Sequence, residues 1–488
     1  MRKVVLAVLI LSSAFPLAAQ EFGKNKVHYV TFKWSYIKSP HFNVYFTKGG
    51  YLLAEFVAVE AESSLASIEK SFHYQINKRI DLTVFNSHND FQQNNIISEY
   101  LGQSTGGVTT LYKNRVVYPW DGDLSLMRHV IHHELVHATF NEMFYGGSVQ
   151  AMIEHDITFQ LPTWFNEGMA EYQSLNHWEV NSDQFLMDAT INHYMPPIDY
   201  LQGFLWYRGG ESVWHYIDVT YGHQKVGEIV NAVLATHSVN KGLERAIGLN
   251  LDQLSDAWHE YNRKQYYPEV AERQALSTFA KRVTNHLEDG SSYNTSPVIS
   301  PDGNLVAYIT DRTGFFDVVL TSTVTGRVIR TLVKGSRTAN FEELHLLNPG
   351  IAWTPDGKYI AVVSKTGEYD DVFMINVRTG VTKELPGLSL DGIKGINFSP
   401  NGEQLALSAY EPLQSDIYLY NMKTHKLRNL TNDIFSDEQP HWSPDGKVIY
   451  FTSDRGGQSL PGRKKPAAPR ALGRGESLGY LFDKRGDG

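Results

Sequence analysis

The pentapeptide His133-Glu134-Leu135-Val136-His137 sets two imidazoles and a carboxylate in the order H-E-x-x-H. On a helix, His133 and His137 project from one face, a spacing that suits two corners of a tetrahedral zinc site. Glu134 can then reach a water held by the ion, and the chemistry implied is hydrolysis by an activated water. His132 points off that face and reads as a neighbour. A tetrahedral ion would still need a third protein ligand, with water as the fourth. Glu167, in Trp164-Phe165-Asn166-Glu167-Gly168-Met169-Ala170-Glu171, is the first candidate, and His155 is the other. The chain has no cysteine, so disulfides and thiolate ligands are excluded and any metal must be held by His, Asp or Glu.

These residues need rigid elements to hold them. Asp123 is a plausible helix N-cap, and Leu126, Val130 and His133 follow it at helical spacing, so the motif falls inside a helix. Pro162 or Thr163 can open a second helix that carries Glu167 and Glu171 one turn apart. Upstream, Phe42 to Thr47 and Ile80 to Phe85 read as strands. Between them Leu52 to Phe72 reads as a helix, with Leu53, Phe56, Val57, Val59, Leu65, Ile68 and Phe72 on one broad apolar face. A further strand is expected to run from about Gly107 to Tyr118. From Leu201 to Tyr267 the pattern is helical.

Near residue 290 the texture changes. Four turns of one type recur, Ser300-Pro301-Asp302-Gly303, Thr354-Pro355-Asp356-Gly357, Ser399-Pro400-Asn401-Gly402 and Ser443-Pro444-Asp445-Gly446, with their prolines 54, 45 and 44 residues apart. A strand-like run follows each turn, and in the first three an Asp-led strand comes next, at Asp317, Asp371 and Asp416. Short strands at this period mark propeller blades. The pattern fails after Gly457, where a basic, proline-containing stretch begins, so about 3.5 blades are expected over 291–456 and 457–488 reads as a disordered or aberrant tail. Such an incomplete propeller would be unstable alone or would rely on a partner chain.

The 488 residues carry a net charge of −9 and no long basic stripe in the main body, which argues against nucleic acid as a partner. Met1-Arg2-Lys3, a short apolar run and small residues up to Gln20 read as an export signal, and no later run is long enough to span a membrane. The domains expected are a signal peptide at 1–20, a catalytic domain at 21–275, a linker at 276–290, the repeats and the tail. The location expected is secreted or periplasmic.

H-E-x-x-H followed by W-x-N-E-G-x-A-E resembles the gluzincin metallopeptidases, in particular their peptidase MA-like domains, over roughly residues 40 to 265. The resemblance implies an α+β metallopeptidase domain and one zinc ion per chain, held by His133, His137 and Glu167. It implies Glu134 as general base and Glu171 as a residue that orients a ligating histidine. A Tyr or His should stabilise the developing oxyanion. Tyr207 is the candidate, with His215 and Tyr216 as alternatives. Two features depart from the aminopeptidase pattern. Asn141 to Gln160 looks like an insertion, and the G-x-M-E-N strand that would bind a substrate amine is absent. Endopeptidase action on a peptide or protein is therefore expected, with an edge strand near Gly107 to Tyr118 to receive it. The repeats resemble the propeller of TolB and related periplasmic proteins, which implies a platform for an envelope protein or a glycan. The fold class expected is thus an α+β metallopeptidase domain followed by an all-β propeller. Two other readings remain open. In one, a peptidase-like zinc fold only binds and scaffolds. In the other, the metal is purely structural.

Overall fold

A computed structural model describes residues 26–97, 101–147, 149–154, 159–175, 178–270, 273–347 and 350–455. The expected export signal, the expected C-terminal tail and His155 lie outside these residues.

The N-terminal region is built on a five-stranded sheet: β1 (Ser35–Lys38), β2 (Phe42–Phe46), β3 (Ile80–Phe85), β4 (Val108–Thr110) and β5 (Arg115–Pro119), in the order β1-β2-β3-β5-β4. β2, β3 and β5 run parallel, and β1 and β4 are antiparallel edges. α1 (Tyr51–Phe72) makes the crossover from β2 to β3, and a short helix, α2 (His88–Phe91), follows β3. Leu53, Phe56, Val57, Leu65, Ile68 and Phe72 of α1 are buried in the core of this region, but Val59 turns outward.

The single strand expected from Gly107 to Tyr118 is instead a hairpin. Lys113 and Asn114 take left-handed φ values of 61° and 46°, which reverse the chain between β4 and β5. Asn enters that region readily, and the Lys-Asn pair carries the turn without a glycine.

α3 (Leu124–Tyr145) packs across the sheet. It starts where expected, with the Asp123 carboxylate accepting hydrogen bonds from the backbone N–H groups of Ser125 and Leu126. The helices that follow are α4 (Val149–Glu154), α5 (Thr163–Leu175), α6 (Val180–Ile191), α7 (Leu205–Tyr221), α8 (Gln224–Thr236), α9 (Val239–Ile247), α10 (Leu251–Val270) and the single turn α11 (His286–Asp289). α3, α5 and α7 form a stack in which α5 is central. α5 and α7 touch through Gly168 and Gly210, and a Cβ added at Gly168 would lie 2.3 Å from the Gly210 carbonyl carbon. Glycine at both positions lets the helices approach backbone to backbone.

The C-terminal region is a set of antiparallel sheets, each of consecutive strands: β6 (Asn294–Ile299), β7 (Leu305–Thr310), β8 (Asp317–Ser322) and β9 (Val328–Lys334); β10 (Ile351–Trp353), β11 (Tyr359–Thr366), β12 (Tyr369–Asn376) and β13 (Thr382–Glu384); β14 (Gly392–Phe398), β15 (Gln404–Glu411), β16 (Gln414–Asn421) and β17 (Leu427–Asn429); then β18 (Asp437–Trp442) with β19 (Ile449–Ser453). The recurrent turns join the first and second strand of each sheet, with Gly303, Gly357, Gly402 and Gly446 at φ near +70°. The strand-leading aspartates have a structural role. Asp416 accepts hydrogen bonds from Thr431 Oγ1 at 2.9 Å and the Asp433 N–H at 3.2 Å, which pins the chain leaving β17. Asp317 and Asp371 hold Arg337 and Ser389 in the same way.

The repeats do not stand apart from the rest of the chain. Tyr410 of β15 belongs to the N-terminal hydrophobic core. Trp120 Nε1 donates to the Glu411 carbonyl at 2.7 Å, and Asn89 Nδ2 donates to Asp370 Oδ1 at 3.0 Å. The propeller-like region thus packs against the N-terminal region of the same chain.

Candidate metal centre

α3 carries His129, His133 and His137 at four-residue intervals, and α5 carries Glu167 and Glu171 at the same interval. Helical period makes each set a single stripe, and the packing of α5 on α3 brings the stripes face to face. His133 Nε2 and His137 Nε2 lie 3.1 Å apart, and Glu167 Oε2 lies 3.4 Å from the first and 3.2 Å from the second. Zinc bonds of about 2.0–2.2 Å in a tetrahedron separate its ligand atoms by about 3.3–3.5 Å, so the three donors stand near the edge lengths of such a site.

The outer atoms of the rings are held as well. His137 Nδ1 lies 3.1 Å from Asn166 Oδ1, which can only accept, so the ring carries its proton there and turns the Nε2 lone pair inward. Glu171 Oε1 lies 3.2 Å from His133 Nδ1, close enough to attract its proton although off the line of a straight hydrogen bond. Glu171 is itself gripped from two sides, by Arg208 Nη1 at 3.1 Å and His129 Nε2 at 3.4 Å. Arg208 also contacts Glu211 at 3.1 Å, and Ser182 donates to that carboxylate at 2.8 Å. Burial, only partly offset by Arg208, pushes the Glu211 carboxyl up to about 7.

The electrostatics follow from burial and convergence. Burial opposes charge on both groups, yet the paired carboxylates raise His133 while the two histidines hold Glu167 well below the usual carboxylate range. Protein groups alone must therefore place protons between these donors, the position a cation would take. His132 remains outside the cluster, where burial and the neighbouring His129 and His133 lower it to about 4.

Glu134 is buried one residue beyond His133, and its Oε2 accepts a hydrogen bond from Thr109 Oγ1 of β4 at 2.6 Å. The Tyr207 ring stacks on His133 with centroids 6.1 Å apart, and burial together with Glu167, Glu134 and Glu171 raises its hydroxyl well above the usual phenol range, keeping it a proton donor. The alternatives to Tyr207 lie elsewhere. His215 stacks on Trp178 with centroids 4.5 Å apart, and Tyr216 packs against Tyr261 at 5.2 Å.

His133, His137, Glu167, Glu171, Glu134 and Tyr207 are thus brought together. Sequence reasoning missed His129, Asn166, Arg208 and Thr109. The spacing H-x3-H-x3-H was there to find His129, but Thr109 had no signal, because it reaches Glu134 only through tertiary packing. Two other donor groups among the described residues could face a cation: His129 with His133 and Glu171, and Asp416 with Asp433 and Asp437. Arg208 already sits on Glu171, and Arg455 sits 2.7 Å from Asp433 and 2.6 Å from Asp437.

Among the described residues, no helix is long and apolar enough to cross a membrane. Residues 342–460 match the family described as the TolB beta propeller domain. The chain is 36% identical over 114 residues to the Tol-Pal system protein TolB of Francisella tularensis subsp. tularensis (strain FSC 198), covering 22% of this chain and 24% of that protein. It is 24% identical over 168 residues to the uncharacterized peptidase YuxL of Bacillus subtilis (strain 168), covering 34% of this chain and 22% of that protein. The chain thus spans about a quarter of the length of each curated relative. The structure of a putative TolB from Agrobacterium tumefaciens matches with a TM-score of 0.29 and 22% identity, covering 33% of this chain and 55% of that one. The chain is therefore multidomain, with a mixed α/β N-terminal region followed by a region similar to the TolB propeller.

Proposed function

We propose that this chain is an exported zinc metallopeptidase that cleaves peptide bonds within a polypeptide, with the propeller-like region recruiting a protein or glycan partner in the cell envelope. The observation that carries the reading is the convergence of His133, His137 and Glu167 at near-tetrahedral edge lengths beside an intact Glu134. The donor set is hard-to-borderline nitrogen and oxygen, which zinc accepts in three-ligand catalytic sites.

Zinc, when bound, supplies an activated water and polarises the scissile carbonyl. The rest is done by the chain's own residues. Glu134 takes a proton at its carboxylate and hands it to the leaving amine. Tyr207, kept protonated, donates its hydroxyl to the oxygen on which charge develops. Glu171 and Asn166 hold the two imidazoles in the ligating orientation. β4, an edge strand, can pair with an extended peptide and lay it across α3.

The test is Glu134→Gln on the full chain. One zinc per chain in both proteins, with cleavage of an unfolded protein lost in the variant, supports the reading. Zinc without cleavage in either protein would favour the binding and scaffold role.

A further inference from the structure

The segment Gly107–Thr109 touches Glu134 in two ways. Thr109 Oγ1 lies 2.6 Å from Glu134 Oε2 and 3.0 Å from the Glu134 carbonyl oxygen, so its one hydroxyl proton lies between two acceptors on one residue. Two residues earlier, just before β4, Gly107 has no side chain. A Cβ at Gly107 would lie 2.9 Å from Glu134 Cγ and 3.1 Å from Oε1, and would crowd the oxygen that Thr109 leaves free. One hydroxyl therefore holds one carboxylate oxygen, and the missing side chain avoids crowding the other. A glutamate carboxylate otherwise turns broadly about its last torsion, and a base must meet its proton within hydrogen-bonding reach.

β4 is also the sheet's edge, paired with β5 on one side only. The strand that would receive an extended peptide is thus the strand that holds the base. We infer that Thr109 is a positioning residue for Glu134, tying its carboxylate to the edge strand so that a docked peptide and the proton acceptor keep a fixed relation. This rests on the peptidase reading above. Thr109 contacts none of the three proposed metal ligands, and its effect runs through the Glu134 carboxylate.

The experiment compares Thr109→Val, which keeps the shape and loses the donor, with Thr109→Ser, which keeps the donor. Thr109→Ala serves as a second donorless variant, free of a methyl group pressed on the carboxylate. On the zinc-loaded full chain with a denatured protein as substrate, kcat should fall by about tenfold or more in Val and Ala, the scale of one hydrogen bond to a charged group. KM should change less than kcat, because the larger loss is in the transition state, and Ser should stay within about threefold of wild type. In the metal-free protein, amides of 108–111 should exchange faster in Val and Ala than in Ser. Wild-type kcat in both donorless variants, or a loss in Ser as deep as in Val, would overturn the inference. No cleavage by the zinc-loaded wild type would instead overturn the peptidase reading, and the exchange rates would still decide whether the hydroxyl ties the strand.

Discussion

Gly168→Ala should damage the proposed metal centre from a position that carries no ligand. The added Cβ would lie 2.3 Å from the Gly210 carbonyl carbon, 2.5 Å from its Cα and 2.7 Å from its oxygen, all backbone atoms that no rotamer change can move. Ordinary contact begins at 3.4 Å, so α5 must back away from α7 by about 1 Å. Glu167 is the preceding residue and moves with α5, while His133 and His137 stay on α3. The three donor distances are 3.1, 3.2 and 3.4 Å, and a metal site tolerates errors of only about 0.2 Å in its bonds. Overpacking of this kind costs about 1–3 kcal/mol of stability, and zinc affinity should fall by roughly 10–100-fold, the range seen when groups that hold ligands are disturbed. Competition against a chromophoric chelator reads the affinity, and thermal unfolding of the metal-free protein reads the stability. Gly209→Ala is the control. Its Cβ would meet side chains and no backbone, Leu201 at 2.9 Å and Met195 Sδ at 3.7 Å, so its zinc affinity should stay within about threefold of wild type. A folded Gly168→Ala protein that binds zinc as tightly as wild type would refute the claim that the α5–α7 contact sets the third ligand.

Tyr207→Phe should keep its stacking on His133 and lose its donor, lowering kcat by about 10²–10³-fold with KM little changed; an unchanged kcat would remove Tyr207 from the chemistry. Between the two regions, burial and then Asp391 and Glu368 raise Asp90 to about 7, and burial and then Glu411 and Glu368 raise Asp391 to about 6. Unfolded carboxyls titrate near 4, so the folded chain binds more protons from about pH 4 to about pH 7, and these groups remove stability as pH rises through that window. Asp391→Asn should therefore stabilise the chain more at pH 8 than at pH 5, as read by denaturant unfolding, and an equal gain at both would contradict the assignment.

The helix that carries H-E-x-x-H was legible because a capping Asp123 and apolar residues at helical spacing leave a periodic trace. Glu167 and Glu171 were legible for the same reason, since one turn of helix puts both on one stripe. The blades announced themselves through repeated turns, each needing glycine at positive φ. The hairpin at Lys113-Asn114 was not legible, because the turn uses no glycine and β-rich residues flank it on both sides. Thr109, Arg208 and the burial of Tyr410 in the N-terminal core depend on which elements meet, and contacts between distant segments leave no local pattern. His215 and Tyr216, the alternatives to Tyr207 in the sequence, pack against Trp178 and Tyr261 instead of His133.

The central claim is that His133, His137 and Glu167 hold a zinc ion on which Glu134 acts. The most direct measurement is metal content and peptide-bond cleavage on single preparations of wild type and Glu134→Gln. The account predicts about one zinc per chain in both, cleavage of unfolded protein by wild type, and loss of that cleavage in the variant. No zinc bound after supplementation would contradict the site, and cleavage undiminished in Glu134→Gln would contradict the mechanism.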